Sequence, residues 1–129
     1  MRHHYWRMGM HYLMNENEHN HSGMICYTVW EKDRQTGHFS YRISDDNRFF
    51  IEAIWVDVPD PKDRIFRAVI NFLEYKAAAS HAEPVYVRIH EKNVYMLDRY
   101  LANGFYSIDT EVTVDDHGNE NRILILRNR

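Results

Sequence analysis

The sequence predicts an α/β (α+β) fold, with a mixed sheet built on a central β-α-β unit and flanked by antiparallel hairpins. Phe49–Val56 is an apolar run broken by Glu52, a pattern typical of a central strand that is buried on both faces. Asp60 and Pro61 favour a helix start, because this proline needs no amide partner and Asp60 can cap the amides behind it. The β-rich run 85–89 follows that helix, so we expect it to lie parallel to the first strand.

Length and composition favour one domain spanning residues 1–129. The chain has 129 residues, of which 44% are hydrophobic, enough for one sizeable core. Its 16 basic and 19 acidic residues give a net charge of -3, which argues against nucleic acid or an anionic membrane as partner. No apolar run approaches membrane-spanning length, and Cys26 is the one cysteine, so we expect a cytoplasmic protein without disulfides.

Residues 1–23 predict a short irregular segment rich in His, Asn and Met. The histidines of this segment are His3, His4, His11, His19 and His21. Helical spacing would place two of them on one face, but no Cys or Asp accompanies them at the spacing of metal ligands. We therefore expect solvated histidines and no metal site.

Two hairpins are expected, one on each side of the β-α-β unit. Residues 24–30 and 38–43 form the first, and its second arm alternates, with Phe39, Tyr41 and Ile43 on one face. A turn at 44–47 leads into Phe49–Val56, which makes three consecutive antiparallel strands. The second hairpin joins residues 106–114 to 122–126.

Two helices are expected between these strands. The first runs from Pro61 through the alanines at 77–79, with an apolar stripe at helical spacing. The second covers residues 93–103 and ends at Gly104. Its predicted apolar stripe consists of Val94, Leu97, Tyr100 and Leu101.

The order Asn93, Tyr100, Gly104 and Phe105 resembles the fourth-helix signature of the GNAT superfamily of acyl-CoA-dependent N-acyltransferases. Residues 51–56 likewise resemble that family's fourth strand, in which a glutamate stands ahead of the strand end. The likeness covers residue 24 onward, so the resemblance implies a GNAT-like fold that is abbreviated at its N-terminus.

This resemblance also implies a site. The backbone of Ile54, Trp55 and Val56 would bind the pantetheine arm of acetyl-CoA, and Asn93 would hold the cofactor by its side chain. Glu52 would act as general base, and Tyr100 would protonate the departing thiolate. Both roles are physically sensible, because an amine must lose a proton before it attacks a thioester.

Each of these side chains also has a purely structural interpretation. Glu52 can face solvent or pair with Arg42, and Tyr100 can be an ordinary core residue. Asn93 fits a helix N-cap with no ligand. Four aromatic residues could line an acceptor cleft or simply pack in the core: Tyr27, Trp30, Tyr41 and Trp55.

The loop that binds pyrophosphate in this family is degenerate here. Its glycine-rich pattern falls on residues 61–66, where Arg64 and Phe66 replace glycines and Pro61 removes an amide donor. Asp60 and Asp63 add negative charge at a helix start that should attract an anion. Lys62 and Arg64 are the side chains that could offset this by contacting the cofactor.

Two functions follow from the resemblance and its defect. The first is a binding or structural scaffold in which acetyl-CoA binds weakly or not at all, and the alternative is an active acetyl-CoA-dependent N-acetyltransferase acting on an amine. Small acetyltransferase-like proteins of tailed phages resemble this chain in length and in their eroded loop, which suggests a viral particle or a host protein as partner. Strand 39–43, taken as exposed and aromatic, favours a homodimer.

Overall fold

The computed structural model describes residues 5–8, 12–17 and 23–129, and the five N-terminal histidines lie outside these ranges. The strands are β1 (Tyr5–Met8), β2 (Tyr12–Glu16), β3 (Ile25–Glu31), β4 (Arg34–Ile43), β5 (Phe49–Val56), β6 (Val85–His90), β7 (Phe105–Val114) and β8 (Glu120–Asn128). The helices are α1 (Arg64–Ala79), which follows a 3₁₀ turn at Pro61–Asp63, and α2 (Val94–Ala102).

The described strands form one mixed sheet in the order β1-β2-β3-β4-β5-β6-β8-β7. β5 and β6 are parallel and flank the crossover through α1, and the other neighbouring pairs are antiparallel. The predicted fold class is therefore confirmed, including the central β-α-β unit and a hairpin on each side of it.

The N-terminal segment was predicted to be irregular, and this is wrong for its described residues, because they contribute β1 and β2 to the sheet. β2 pairs with β3, and its alternate residues Tyr12 and Met14 enter the core at 6% and 0% exposure. The segment was missed because each strand is short and surrounded by polar residues, so it lacks a long alternating pattern.

Both helices lie on one face of the sheet, and the core lies between them and the strands. Phe72 of α1 packs edge-on against Tyr27 and Phe39, with ring centroids 4.9 and 5.7 Å away. α2 joins this layer because Tyr100 packs against Phe66 of α1 and Phe105 of β7 at 5.2 and 5.1 Å. Within the described residues no helix covers the opposite face, which we call the open face.

This arrangement corrects the prediction that β5 is buried on both faces. Phe49 and Ile51 are buried against α1, but Glu52, Ala53 and Trp55 are exposed, Trp55 at 50%. β5 is still central in the sheet. The apolar residues at the start of β5 pack in the core, whereas those towards its end border a partly open cleft.

Two further expectations about faces need correction. Phe39 and Tyr41 alternate as predicted, but they point into the core at 1% and 3% exposure, so they cannot form a dimer contact. On α2 the predicted apolar stripe is only half right, because Tyr100 is buried and Leu97 packs against the core, whereas Val94 and Leu101 are 56% and 46% exposed. α2 instead buries Arg99 beside Tyr100.

Neither described helix is long and apolar enough to cross a membrane.

Candidate functional site

β5 and β6 separate part-way along their length and open a cleft. Their parallel pairing runs from Phe49 with Val85 to Ile51 with Val87 and then stops. On its other side β5 carries a bulge, because Tyr41 pairs with Ile51 while the neighbouring Ser40 pairs with Ala53. Glu52 is therefore the extra residue of the bulge, and such irregularities redirect side chains next to functional sites.

The cleft between the two strands has a volume of about 270 Å³ and is closed at one end by α2. Four predicted residues line it together: Glu52, Ile54, Asn93 and Tyr100. Trp55, Val56, Lys62 and Arg64 are not among its lining residues. The structure thus brings the proposed base and the proposed acid to one cavity and leaves four of the six expected cofactor contacts elsewhere.

Glu52 adopts the alternative geometry considered above, because its carboxylate forms an ion pair with Arg42. Its side chain is 33% exposed and also borders a depression of about 410 Å³ that Arg42 and Arg88 help to line. The carboxylate therefore lies in a charged, solvent-facing environment rather than an apolar one. It still reaches the cleft and remains the acidic group that could accept a proton there.

Tyr100 is 1% exposed, and its ring is held between Phe66 and Phe105. Burial raises the pKa of its hydroxyl well above the ordinary value of 10.0, with a smaller opposing effect from Arg99. No hydrogen-bond partner for this hydroxyl lies among the described residues. Tyr100 is thus a core residue that also lines the cleft.

Asn93 has the structural role that was left open for it. Its side-chain oxygen accepts a hydrogen bond of 3.4 Å from the Met96 amide, and Asn93 is thus the N-cap of α2. Along β5, Ile54 packs against the core, Val56 is 6% exposed within it, and Trp55 points outward and stacks on His38 at 5.3 Å.

The start of α1 is capped from within the chain. Asp60 accepts hydrogen bonds from the amides of Ile65 (2.9 Å to Oδ1) and Phe66 (3.1 Å to Oδ2). Its side chain is only 3% exposed. These amides belong to the segment that carries the family's phosphate-binding loop, and the predicted cap is confirmed with the carboxylate placed where an anion would bind.

Arg99 of α2 completes this cluster. It contacts Asp60 Oδ2 through Nη2 and Asp63 Oδ1 through Nε, both at 3.2 Å, with its side chain 10% exposed. Its guanidinium carbon lies 4.4 Å from the centroid of the Phe66 ring. Desolvated carboxylates keep their charge at low cost only when they are paired and hydrogen-bonded, and Arg99 supplies that pairing.

Arg99 was not identified from the sequence. The available signal was its position on α2, one residue before Tyr100 and four after Tyr95, together with two aspartates at the opposite helix start. A cation on the buried side of a helix requires an acidic partner, and Asp60 and Asp63 were the acids whose role was in question.

Lys62 and Arg64 do not face the helix-start amides as a cofactor clamp would. Arg64 lies against β2 and β3, donating to the Tyr12 hydroxyl at 3.3 Å and pairing with Glu31 at 3.5 Å. Lys62 is exposed and has left-handed backbone geometry with φ of 57°. The side chains expected to offset the missing glycines are thus used elsewhere or turned to solvent.

Acetyl-CoA therefore fits one half of this site and not the other. The cleft between β5 and β6 lies where the resemblance would place the pantetheine arm, along Ile54. At the pyrophosphate position, however, two amides are already bonded to Asp60, and the carboxylates of Asp60 and Asp63 would repel the ligand's charge. Among the described residues no group of three or more His, Cys, Asp or Glu side chains could hold a metal ion.

No protein-family model matches the sequence, and no curated protein matches it either. Solved acetyltransferase structures are similar to it in fold. A Bacillus anthracis protein assigned as a streptothricin acetyltransferase, in complex with acetyl coenzyme A, has a TM-score of 0.73 at 16% identity, with 85% of this chain and 64% of that chain covered.

Two further structures give the same result. A GNAT family acetyltransferase from Elizabethkingia anophelis with acetyl-CoA bound has a TM-score of 0.67 at 15% identity, covering 84% of this chain and 77% of that one. The ribosomal-protein-S18-alanine N-acetyltransferase from Escherichia coli has a TM-score of 0.63 at 12% identity, covering 84% and 70%. These likenesses show that the chain has the GNAT fold.

Proposed function

We propose that this chain, which has the GNAT fold, is an acetyltransferase-like protein that has lost acetyl-CoA binding and acts as a binding or structural scaffold. The observation that supports this most directly is the Asp60 carboxylate on the amides of Ile65 and Phe66. A helix start that already holds an internal anion has two fewer amide donors to offer a pyrophosphate.

Displacing Asp60 would be costly. Its carboxylate would lose two amide donors and the Arg99 guanidinium while remaining inside the fold, and an unpaired buried charge costs about 3–5 kcal/mol. A cofactor would have to supply this free energy from its own contacts. Asp63 would oppose it further, since it lies in the same cluster and has the same charge as the ligand.

A scaffold needs a surface for its partner, and the open face of the sheet supplies one. Trp55 is 50% exposed there and stacks on His38, in a region that no described helix covers. Exposed aromatic surface of this kind is typical of protein contacts. We infer a protein partner, such as a component of a viral particle or a host protein, met in the cytoplasm.

An active N-acetyltransferase remains the second candidate, and one observation favours it. The cleft between β5 and β6 brings Glu52 and Tyr100 to one cavity. A carboxylate and a protonated hydroxyl are the groups that this chemistry would need. The resemblance assigned these two residues the same roles.

Calorimetric titration of the purified chain with acetyl-CoA and with CoA separates the two functions. We expect no saturable binding at about 1 mM ligand, a concentration at which a site with only −4 kcal/mol of binding free energy would still be half filled. Micromolar, saturable binding would reject the scaffold and justify a screen of amine acceptors. Pantetheine, which lacks the nucleotide, is the matched ligand that tests the cleft alone.

A further inference from the structure

β7 forms one end of the sheet, and within the described part of the chain its outer edge has no partner strand. Natural proteins usually protect such edges with charged side chains, especially lysine, with proline, with a bulge or with a very short strand. β7 has ten residues and contains neither lysine nor proline, and its charged residues are Asp109 and Glu111. Ile108, Val112 and Val114 are 47%, 50% and 63% exposed, so the edge is also apolar.

The outer half of β7 is regular enough to pair with another strand. Its one irregularity lies between Ser107 and Asp109, and from Asp109 to Val114 the register with β8 is continuous. The charge of Glu111 in this stretch is compensated by an ion pair with Arg88 on β6. At the other end of the sheet β1 has four residues and offers a much shorter edge.

The sequence of this stretch is self-complementary in one register. In an antiparallel pair centred on Val112, Val112 faces its own copy, Glu111 faces Thr113, and Thr110 faces Val114. Shifting the centre to Thr110 or Glu111 places acid opposite acid within the strand, which is destabilising. A centre at Thr113 pairs only residues 112–114, because β7 ends at Val114, and it opposes Glu111 with Asp115. The centre at Val112 pairs the five residues 110–114 without an acidic pair and opposes Asp109 with Asp115 just beyond them.

We propose that β7 pairs antiparallel with β7 of a second copy of this chain, about a two-fold axis at Val112. The two sheets then become one continuous sheet, in which Val112 packs against Val112 of the second copy and Val114 packs against its Thr110. The contact is isologous, so it closes at two copies and does not propagate into a filament.

Light scattering of the full chain up to about 1 mM tests this, because a small interface forms a dimer only at high concentration. We expect a mass of twice that of the 15.6 kDa chain. The fraction of dimer should increase with salt concentration, because salt screens the repulsion between Asp109 and Asp115, which approach each other just outside the paired stretch. Val112→Lys should return the monomer mass. Val94→Lys, at a similarly exposed valine on α2, should leave the dimer intact.

A cross-link tests the register. In a chain carrying Cys26→Ser, we expect Val112→Cys to form an intermolecular disulfide under mild oxidation, because directly opposed residues lie within disulfide distance. Thr113→Cys should not form one, because Thr113 faces Glu111 of the other copy. A monomer mass at about 1 mM, or cross-linking through Thr113→Cys and not Val112→Cys, would overturn the proposal.

Discussion

At the scale of single residues, Asp60 has two separable effects on the chain. Its carboxylate satisfies two amides at the start of α1, and it neutralises a buried arginine from α2. The first effect belongs to helix capping and the second to the contact between the two helices. A change at this position therefore alters stability and anion binding in opposite directions.

Asp60→Ala should lower the free energy of unfolding by about 2–4 kcal/mol, because it removes a cap and one partner of a buried arginine. Urea denaturation of the variant and the wild type measures this difference. Asp46→Ala is the control, since its side chain is 65% exposed and its loss should leave the denaturation midpoint almost unchanged.

The same variant should bind inorganic pyrophosphate more tightly than the wild type, since it frees the amides of Ile65 and Phe66 and the guanidinium of Arg99. Titration calorimetry with pyrophosphate gives this second measurement. Equal affinities in the two proteins would show that Asp60 does not occupy an anion site.

The sequence was informative about residues whose role is local. The Asp60 cap and the Asn93 cap follow from residue type and position at a helix start, and both are present. Arg99 could not be predicted in this way, because its partners are 36 and 39 residues away along the chain. Contacts of that separation depend on how α1 and α2 pack.

At the scale of elements, β4 and β5 approach each other closely at Gly37. A Cβ atom on Gly37 would lie 2.6 Å from the Trp55 carbonyl oxygen and 3.3 Å from the Val56 Cα. Both neighbours are backbone atoms, which cannot move without displacing β5. This glycine thus sets the spacing of the strand that forms one wall of the cleft.

Gly37→Ala should lower the free energy of unfolding by about 1–3 kcal/mol through overpacking. Chemical denaturation measures this, with Gln35→Ala on an exposed position of the same strand as control. Stability of Gly37→Ala within about 0.5 kcal/mol of the wild type would mean that the two strands separate easily at this point.

Elements with a long, regular pattern were predicted well. β5 begins and ends where expected, and α1 ends at Ala79 as its alanine-rich segment suggested. β1 and β2 were missed because nine residues shared between two strands give no extended alternation. The two misplaced stripe residues of α2, Val94 and Leu101, have another cause, since this short helix packs against α1 through Arg99 as well as through apolar residues.

At the scale of the whole molecule, alkaline pH should unfold the chain through its buried tyrosines. Burial raises the pKa of Tyr41 to about 12 from 10.0, and it raises the pKa of Tyr27 and Tyr100 further. A raised pKa in the folded state means that the stabilisation is complete below pH 10 and is lost as pH rises through the folded-state value.

Each of these tyrosines should remove about 1.4 kcal/mol of stability per pH unit above pH 10. Urea denaturation at pH 8, 10 and 11 measures this slope. Tyr41→Phe should reduce the loss by about 1.4 kcal/mol per unit between pH 10 and 12. An identical slope in variant and wild type would show that Tyr41 titrates in the folded state as it does in the unfolded chain.

The one-sided arrangement of helices could not be predicted from the sequence. An apolar strand residue that lines a cleft and one that lies under a helix have the same residue type, so Ile54 and Ile51 were indistinguishable. Which face α2 covers depends on the packing of Tyr100 against Phe66 and Phe105. Such contacts join parts of the chain that are far apart in sequence.

The position of Asp60 has a consequence for any ligand that approaches the start of α1. A group tethered five residues from its own binding site is present there at an effective concentration of about millimolar or more. A free anion must therefore outcompete an inhibitor that cannot diffuse away. A free anion therefore needs a high concentration to displace the Asp60 carboxylate, whereas a single substitution at Asp60 removes this competitor.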